Sequence, residues 1–236
     1  MAVTRAAPHP HLSTVLEDGA WRGRRAFVVG GGPSLRGFDF SRLRNELWIG
    51  CNMAFLERPT IAFSVCYRFM RDVVKPGVPA PRGPHAPAWA ACPSIKVLLN
   101  PPTDGERVDD VPAFQIGNTD LTIGVNAWGR SLATGVRNGP MSGIVAANLA
   151  DILAPTTIYL LGMDCRTADD GRTANYHDHY WWNADRKPRP KEGRYKGARD
   201  VWEKHAAAGD IRSKVVVLGD SALECFPKGR LEDVLP

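Results

Sequence analysis

Cysteine is scarce in this sequence and never paired. Five occur in 236 residues (Cys51, Cys66, Cys92, Cys165 and Cys225), and no two stand in C-x-x-C spacing. An odd, scattered set argues against a disulfide framework and against a structural zinc site, and predicts reduced thiols in a cytoplasm. No apolar run approaches 18 residues, so no membrane-spanning helix is expected. Residues 1–18 lack an apolar core long enough for a signal peptide. No run of five or six basic residues occurs either; the densest basic segments are 22–25 and 186–196. Helix-turn-helix and zinc-finger signatures are missing, so nucleic acid stays open as a partner but is not favoured.

What is present is globular in character. Hydrophobic residues make up 44% of the chain and charged residues 23%, so disorder is not the default reading. The formal charge of +5 suits phosphorylated ligands without choosing among them. Nineteen prolines predict long irregular connections. The length fits one large domain, residues 23–236, preceded by a loose N-terminal extension, residues 1–22.

Short apolar runs at residues 25–29, 47–51, 60–65, 95–99, 157–161 and 215–218 read as buried strands, with a further strand expected at 121–125. Ser142-Gly-Ile-Val-Ala-Ala-Asn-Leu-Ala-Asp-Ile-Leu153 reads as a helix stopped by Pro155. A second helix is expected over 194–208, short ones near 41–43 and 67–74, and a closing helical turn at 221–226. Residues 75–94 read as a meandering connection or a mobile flap, 129–140 as a loop, and 165–193 as a long polar and aromatic insertion or lid. Strands alternating with helices predict an α/β fold, Rossmann-like, with a mainly parallel sheet covered on both faces.

Four places could carry chemistry. Gly30-Gly31-Gly32-Pro33-Ser34 directly follows the first strand, where glycines let backbone N–H groups turn toward an anion. The G-x-G-x-x-G pattern is incomplete because Leu35 takes the third glycine position, and no acid ends the second strand, which disfavours NAD. No G-x-x-x-x-G-K-[ST] occurs, which weighs against a P-loop kinase. At the second strand's end, Asn52 offers a donor and an acceptor to a sugar hydroxyl or base edge, or serves simply as a turn residue. Ser142-Gly143 opens a helix and forms either a second anion-friendly corner or an ordinary N-cap. The fourth place is Asn175-Tyr-His-Asp-His-Tyr-Trp-Trp-Asn183, whose His177 and His179 could supply a general base, could ligate a metal, or could sit in a solvated loop rich in aromatics. Asp164 closes an apolar strand and either binds ligand or holds a loop.

The order Gly31-Gly-Pro-Ser-Leu35, Phe40-Ser-Arg-Leu43, Cys51-Asn52, Ser142-Gly143, Ile158-Tyr-Leu-Leu-Gly-Met-Asp164 and Ser221-Ala-Leu223 resembles bacterial sialyltransferases of the Campylobacter type. It also resembles the related MAF/DUF115 proteins, including small phage members. The resemblance runs from about residue 25 to 227 and implies a Rossmann-like nucleotide-sugar fold. It implies that Gly31, Gly32, Ser34, Asn52 and Ser142 line the site of a CMP-sugar donor, and that His177 or His179 deprotonates the acceptor. Tyr176, Tyr180 and Arg194 are the residues available to support a leaving phosphate. Gly31 stands where the family has Asn, so one nucleotide contact is lost.

The resemblance thus implies a glycosyltransferase-like enzyme that uses a nucleotide-activated sugar as donor substrate, with no metal or other cofactor. Two alternatives stay open. DUF115 also includes archaeal pterin pyrophosphokinases, which need ATP and a divalent metal such as magnesium. Their acidic D-x-D-G-like motif has no counterpart here, since Ser64-Val65-Cys66-Tyr67-Arg68 carries no carboxylate. The other alternative is a nucleotide-binding protein without catalysis.

Overall fold

A computed structural model describes residues 9–64, 85–99, 113–167, 175–177 and 192–235. Among these residues eight strands form one sheet: β1 (Arg25–Val29), β2 (Leu47–Cys51), β3 (Ile61–Ser64), β4 (Ile95–Leu99), β5 (Phe114–Ile116), β6 (Thr157–Leu161), β7 (Lys214–Leu218) and β8 (Lys228–Gly229). Their order is β5-β4-β3-β2-β1-β6-β7-β8, and every pairing is parallel. The fold is therefore α/β and Rossmann-like. The chain builds outward from β1 to β5, returns to place β6 beside β1, and builds outward the other way. The crevice beyond the carboxyl ends of β1 and β6 is thus the reversal point at which open α/β sheets bind ligands.

Side-chain alternation sends neighbouring strand residues to opposite faces. Ala26, Val28, Ile49, Ile158, Leu160 and Val217 pack on one face with α2 (Ser142–Leu153) and α3 (Glu192–Ala207). On the other face Phe27, Val29, Trp48 and Leu218 meet Leu35, Leu43 and the short α4 (Leu231–Val234), while Ala62 and Leu98 meet Trp89 of α1 (Ala86–Ala91). Both faces are covered, one by two long helices and the other by short turns.

Eleven of the twelve residues of α2 are buried, so it is a core helix rather than an amphipathic one. Its polar members are matched to an irregular segment. Asn148 Oδ1 accepts from the N–H groups of Gly129 (2.8 Å) and Arg137 (2.7 Å), and its Nδ2 donates to Gly129 O (2.9 Å). Asp151 accepts from Trp128 Nε1 (3.0 Å) and from the N–H groups of Arg212 and Ser213. Helix α3 buries Tyr195, Ala198, Trp202 and His205, the three- and four-residue spacing of a single helical face.

The strands expected at 25–29, 47–51, 60–65, 95–99, 157–161 and 215–218 form within one residue of those bounds. Four expectations are corrected. Ala86–Ala91, inside the connection expected over 75–94, is a short helix. Residues 121–125 are not a strand: Thr119–Leu121 is a 3-10 turn, Gly124 has φ +128°, and Ile123 and Val125 are exposed. Residues 221–226 are not helical, because the Ser221 hydroxyl ties into the Met163 carbonyl and receives the Leu223 N–H instead. Residues 9–22 are not a loose lead-in. Leu12 and Trp21 lie in the core, and the N–H groups of Gly19 and Trp21 satisfy the carbonyls of Ile152 and Leu153 at the end of α2. The short helix expected over 67–74, and most of the 165–193 insertion, lie outside the described residues.

A buried polar cluster links α3 to the segment leading into α2. Arg137 Nε donates to His205 Nε2 (2.8 Å), so that nitrogen is an acceptor and the ring proton sits on Nδ1, facing Asp210 Oδ2 at 2.7 Å. Burial holds the His205 pKa below its ordinary value; the Asp210 contact opposes this, and Arg137 and Lys204 add to it. In the unfolded chain this histidine takes a proton near pH 6.5, whereas the folded chain resists it until lower pH. Stability contributed by the neutral ring is thus fully present above about pH 6.5 and is lost as pH falls toward the folded value, by at most about 1.4 kcal/mol per pH unit. Urea midpoints measured from pH 7 to 5 should fall with acid, and His205→Gln should flatten that slope. Leu12→Ala should cost about 2–5 kcal/mol in the same assay, whereas a loose N-terminal segment would show no loss.

Candidate ligand-binding site

The carboxyl ends of β1, β2 and β6 and the start of α2 enclose a cleft of about 330 Å³, the scale of a small-molecule site. Gly30, Gly31, Gly32 and Pro33 form one wall, Cys51 and Asn52 a second, and Gly162 to Arg166 a third. Met141, Ser142 and Gly143, with Arg194 held beside them, close the rear, and Asn175 and Tyr195 complete the lining. Of the residues expected at the site, His177 and Tyr176 do not line this cleft, and Ser34 stands behind it; His179 and Tyr180 lie outside the described residues.

The turn after β1 is locked onto the turn after β6. Gly30 N–H donates to Leu161 O and Gly32 N–H to Gly162 O, each at 2.8 Å. Ser34 gives both of its donors to one carboxylate: N–H to Asp164 Oδ2 at 2.8 Å and Oγ–H to Asp164 Oδ1 at 2.6 Å. Any Cβ on Gly32 would collide with that carboxylate and with the Gly162 carbonyl, which is why glycine is required there. Gly162 itself has φ +65°, with the Leu35 side chain where a Cβ would stand. Three of the turn's N–H groups, at Gly30, Gly32 and Ser34, thus serve β6 and Asp164, while Gly30, Gly31, Gly32 and Pro33 line the cleft. Asp164 likewise holds a loop, as its main-chain carbonyl also accepts from Ala222 N–H. Burial raises its carboxyl above the ordinary range; the two Ser34 donations and Arg166 oppose that, and Asp220 adds to it.

The donors facing the cleft come from elsewhere. Helix α2 begins at Ser142, not after it, and Met141 at its N-cap makes no side-chain cap bond. Among the described residues the first turn thus has no side-chain cap, though Ile144 N–H donates to Met141 O at 3.2 Å, and it carries the positive end of a twelve-residue helix. Asn52 adopts a left-handed φ of +52°, which asparagine tolerates, and turns its amide across the cleft. Its Nδ2 donates to Ser142 Oγ at 3.0 Å, and its Oδ1 accepts from Ser64 Oγ at 3.3 Å. Arg194, at the start of α3, is anchored by Nε to Pro140 O at 2.9 Å, beside the same helix start. Arg166 borders the cleft and pairs with Asp220.

The histidine-bearing segment reaches the site through its neighbours. Tyr176 N–H donates to Gly31 O at 3.0 Å, and Asn175 lines the cleft. The Tyr176 ring turns away and packs on Phe40, 5.5 Å between centroids, with His177 edge-on at 4.7 Å. Tyr195 is the tyrosine on the cleft wall, with a hydroxyl pKa raised by burial. It, Arg166 and Met163 were not anticipated; Arg166 follows Asp164 by two residues at a strand end, which was the available signal. Cys51 and Cys165 also line the cleft, both thiols pushed up to about 12 by burial, so neither acts as a thiolate nucleophile near neutrality. Among the described residues no group of three His, Cys, Asp or Glu side chains could hold a metal ion. No helix among them is long and apolar enough to cross a membrane.

These features define the class: a Rossmann-like α/β protein with a polar cleft at the sheet's reversal point. No protein-family model and no curated protein matches the sequence. Among solved structures the chain resembles a MAf glycosyltransferase from Magnetospirillum magneticum AMB-1, with a TM-score of 0.55 and 13% identity. The match covers 98% of this chain and 37% of that one, so the chain spans little more than a third of its neighbour's length. At that identity the likeness establishes the shared fold.

The lock between the two turns gives a direct test. Gly32→Ala should destabilise the protein by about 1–3 kcal/mol, measured by urea unfolding, since either Asp164 or the Gly162 backbone must move.

Proposed function

We propose that the cleft binds a nucleotide-activated sugar without a metal requirement, and that the chain is a glycosyltransferase-like enzyme with a CMP-linked donor as the first candidate. The observation that carries this reading is the rear corner of the cleft. There Ser142, the uncapped start of α2 and Arg194 bring donors and positive charge together at the position where α/β sheets hold phosphates. Asn52 adds a neutral amide suited to a sugar hydroxyl or base edge. The shared fold with a glycosyltransferase and the order of sequence motifs support the same class.

In this reaction an acceptor hydroxyl oxygen bonds to the anomeric carbon as the bond from that carbon to the phosphate oxygen breaks. The nucleotide leaves with the electron pair, and the acceptor's proton passes to a histidine. His177 or His179 is the proposed base, on the segment that Tyr176 N–H ties to Gly31. Arg194 and the α2 N–H groups would stabilise the departing phosphate, with Tyr180 the remaining tyrosine of the expected pair. One observation favours a second reading, nucleotide binding without turnover: among the described residues no histidine lines the cleft.

A thermal-shift panel of CMP, UDP, GDP, ATP and their sugars, with and without magnesium, tests the proposal. A ligand at 100 times its Kd should stabilise the protein by about 2.7 kcal/mol. The expected result is a shift by a cytidine nucleotide that needs no magnesium and disappears in Asn52→Ala. A shift by ATP only with magnesium would instead indicate a pyrophosphokinase. Sugar transfer followed by mass spectrometry, lost in His177→Ala or His179→Ala, separates the enzyme from the binding protein.

A further inference from the structure

Ser64 ends β3, is 1% exposed, and does not line the cleft. Its hydroxyl nevertheless connects to the cleft in two steps. Ser64 Oγ donates to Asn52 Oδ1 (3.3 Å), which fixes the amide with its NH₂ group toward α2, and Asn52 Nδ2 then donates to Ser142 Oγ (3.0 Å). The Ser142 oxygen is thereby engaged as an acceptor. Its own proton has no acceptor among the described residues, and the residue borders the cleft. A hydroxyl rotates to suit its partners, so with the amide in this sense the Ser142 proton is left to the cleft, and the bond from Ser64 favours that sense.

We infer that Ser64 is a positioning residue which, through Asn52, sets the Ser142 hydroxyl as a donor into the cleft and so makes the rear corner selective for an acceptor-only group such as phosphate. This rests on the nucleotide reading of the site and deepens it. The relay has a polarity. Reversing the amide would present Asn52 Oδ1 to Ser142, draw the Ser142 proton away from the cleft, and leave an acceptor facing the ligand. The other groups at the corner, the first-turn N–H groups of α2 and the Arg194 guanidinium, are donors by chemistry and cannot reverse. Ser142 is the one member whose sense is adjustable, and the relay removes that freedom before a ligand arrives. Preorganised donors of this kind cost no reorientation on binding.

Calorimetric titration of the full chain with CMP and with cytidine tests the relay, because the two probes differ only in the phosphate. Ser142→Ala should weaken CMP about ten- to a hundredfold and Ser64→Ala about three- to tenfold, each leaving cytidine within about twofold. The double variant should bind CMP no more weakly than Ser142→Ala alone, since Ser64 acts through that hydroxyl. Ser64→Thr keeps the hydroxyl and should restore CMP affinity. Asn52→Asp presents only acceptors and adds a negative charge, and should abolish CMP selectivity even where Ser64→Ala proves too unstable to titrate. Additive losses in the double variant, or equal weakening of CMP and cytidine by Ser64→Ala, would overturn the relay while leaving the nucleotide reading intact. A wild-type chain that binds neither probe would overturn both.

Discussion

The carboxylate of Asp164, held by both donors of Ser34, is the contact on which the rest of the site depends. It joins the turn after β1 to the turn after β6, two strands that are neighbours in the sheet but separated by more than a hundred residues of chain. With Gly32 N–H on Gly162 O, it closes the floor of the reversal-point crevice. The interaction is partly buried and draws a carboxyl group out of water, which raises its pKa. Two hydrogen bonds from Ser34, more than the nearby Arg166 cation, offset that cost. The floor is thus built from short, neutral donors, and the cationic groups, Arg166 and Arg194, stand elsewhere on the lining.

Helix α2 connects this floor to the remainder of the molecule. Its start supplies Ser142 and Gly143 to the cleft, and its body carries Asn148 and Asp151 into the core. Those two side chains satisfy backbone groups of Gly129, Arg137, Arg212 and Ser213 that have no strand or helix partner. A buried loop is tolerable only when its polar backbone groups find such partners. The segment 129–141 that delivers the helix start is therefore positioned by the same helix it precedes, with Arg137 and His205 as a second attachment.

Strands β1, β2, β4 and β6 and helix α2 were legible because each is a short apolar block bounded by glycine, proline or a polar residue. The site's location followed from Gly30 to Ser34 lying just beyond a buried strand. Its hydrogen-bond assignments were not legible. Nothing local to Gly32 or Ser34 reveals that their donors face Asp164, 130 residues away in sequence for Ser34. Residues 121–125 carry a β-like composition, yet Gly124 takes a positive φ and the side chains of Ile123 and Val125 are left outside, so tertiary context overrode propensity. Leu12 and Trp21 looked like part of a proline-rich lead-in because burial by distant partners leaves no periodic mark in so short a segment. Ser64 was read only as lacking a carboxylate neighbour, and its link to Asn52 is a contact across two strand ends.

The bridge between His11 and Gln115 has a consequence for association between molecules. Gln115 N–H donates to Pro10 O at 2.9 Å, so the outer margin of β5 is already hydrogen-bonded to the chain's own N-terminal segment. An open margin of a parallel sheet is a template onto which another chain can add a strand, and proteins suppress this with short, capped or proline-bearing edges. Here one proline-containing stretch both fills the margin and, through Leu12, is pinned into the core. Removing it would do more than loosen packing: it would uncover a pairing surface, turning a loss of stability into a tendency to aggregate.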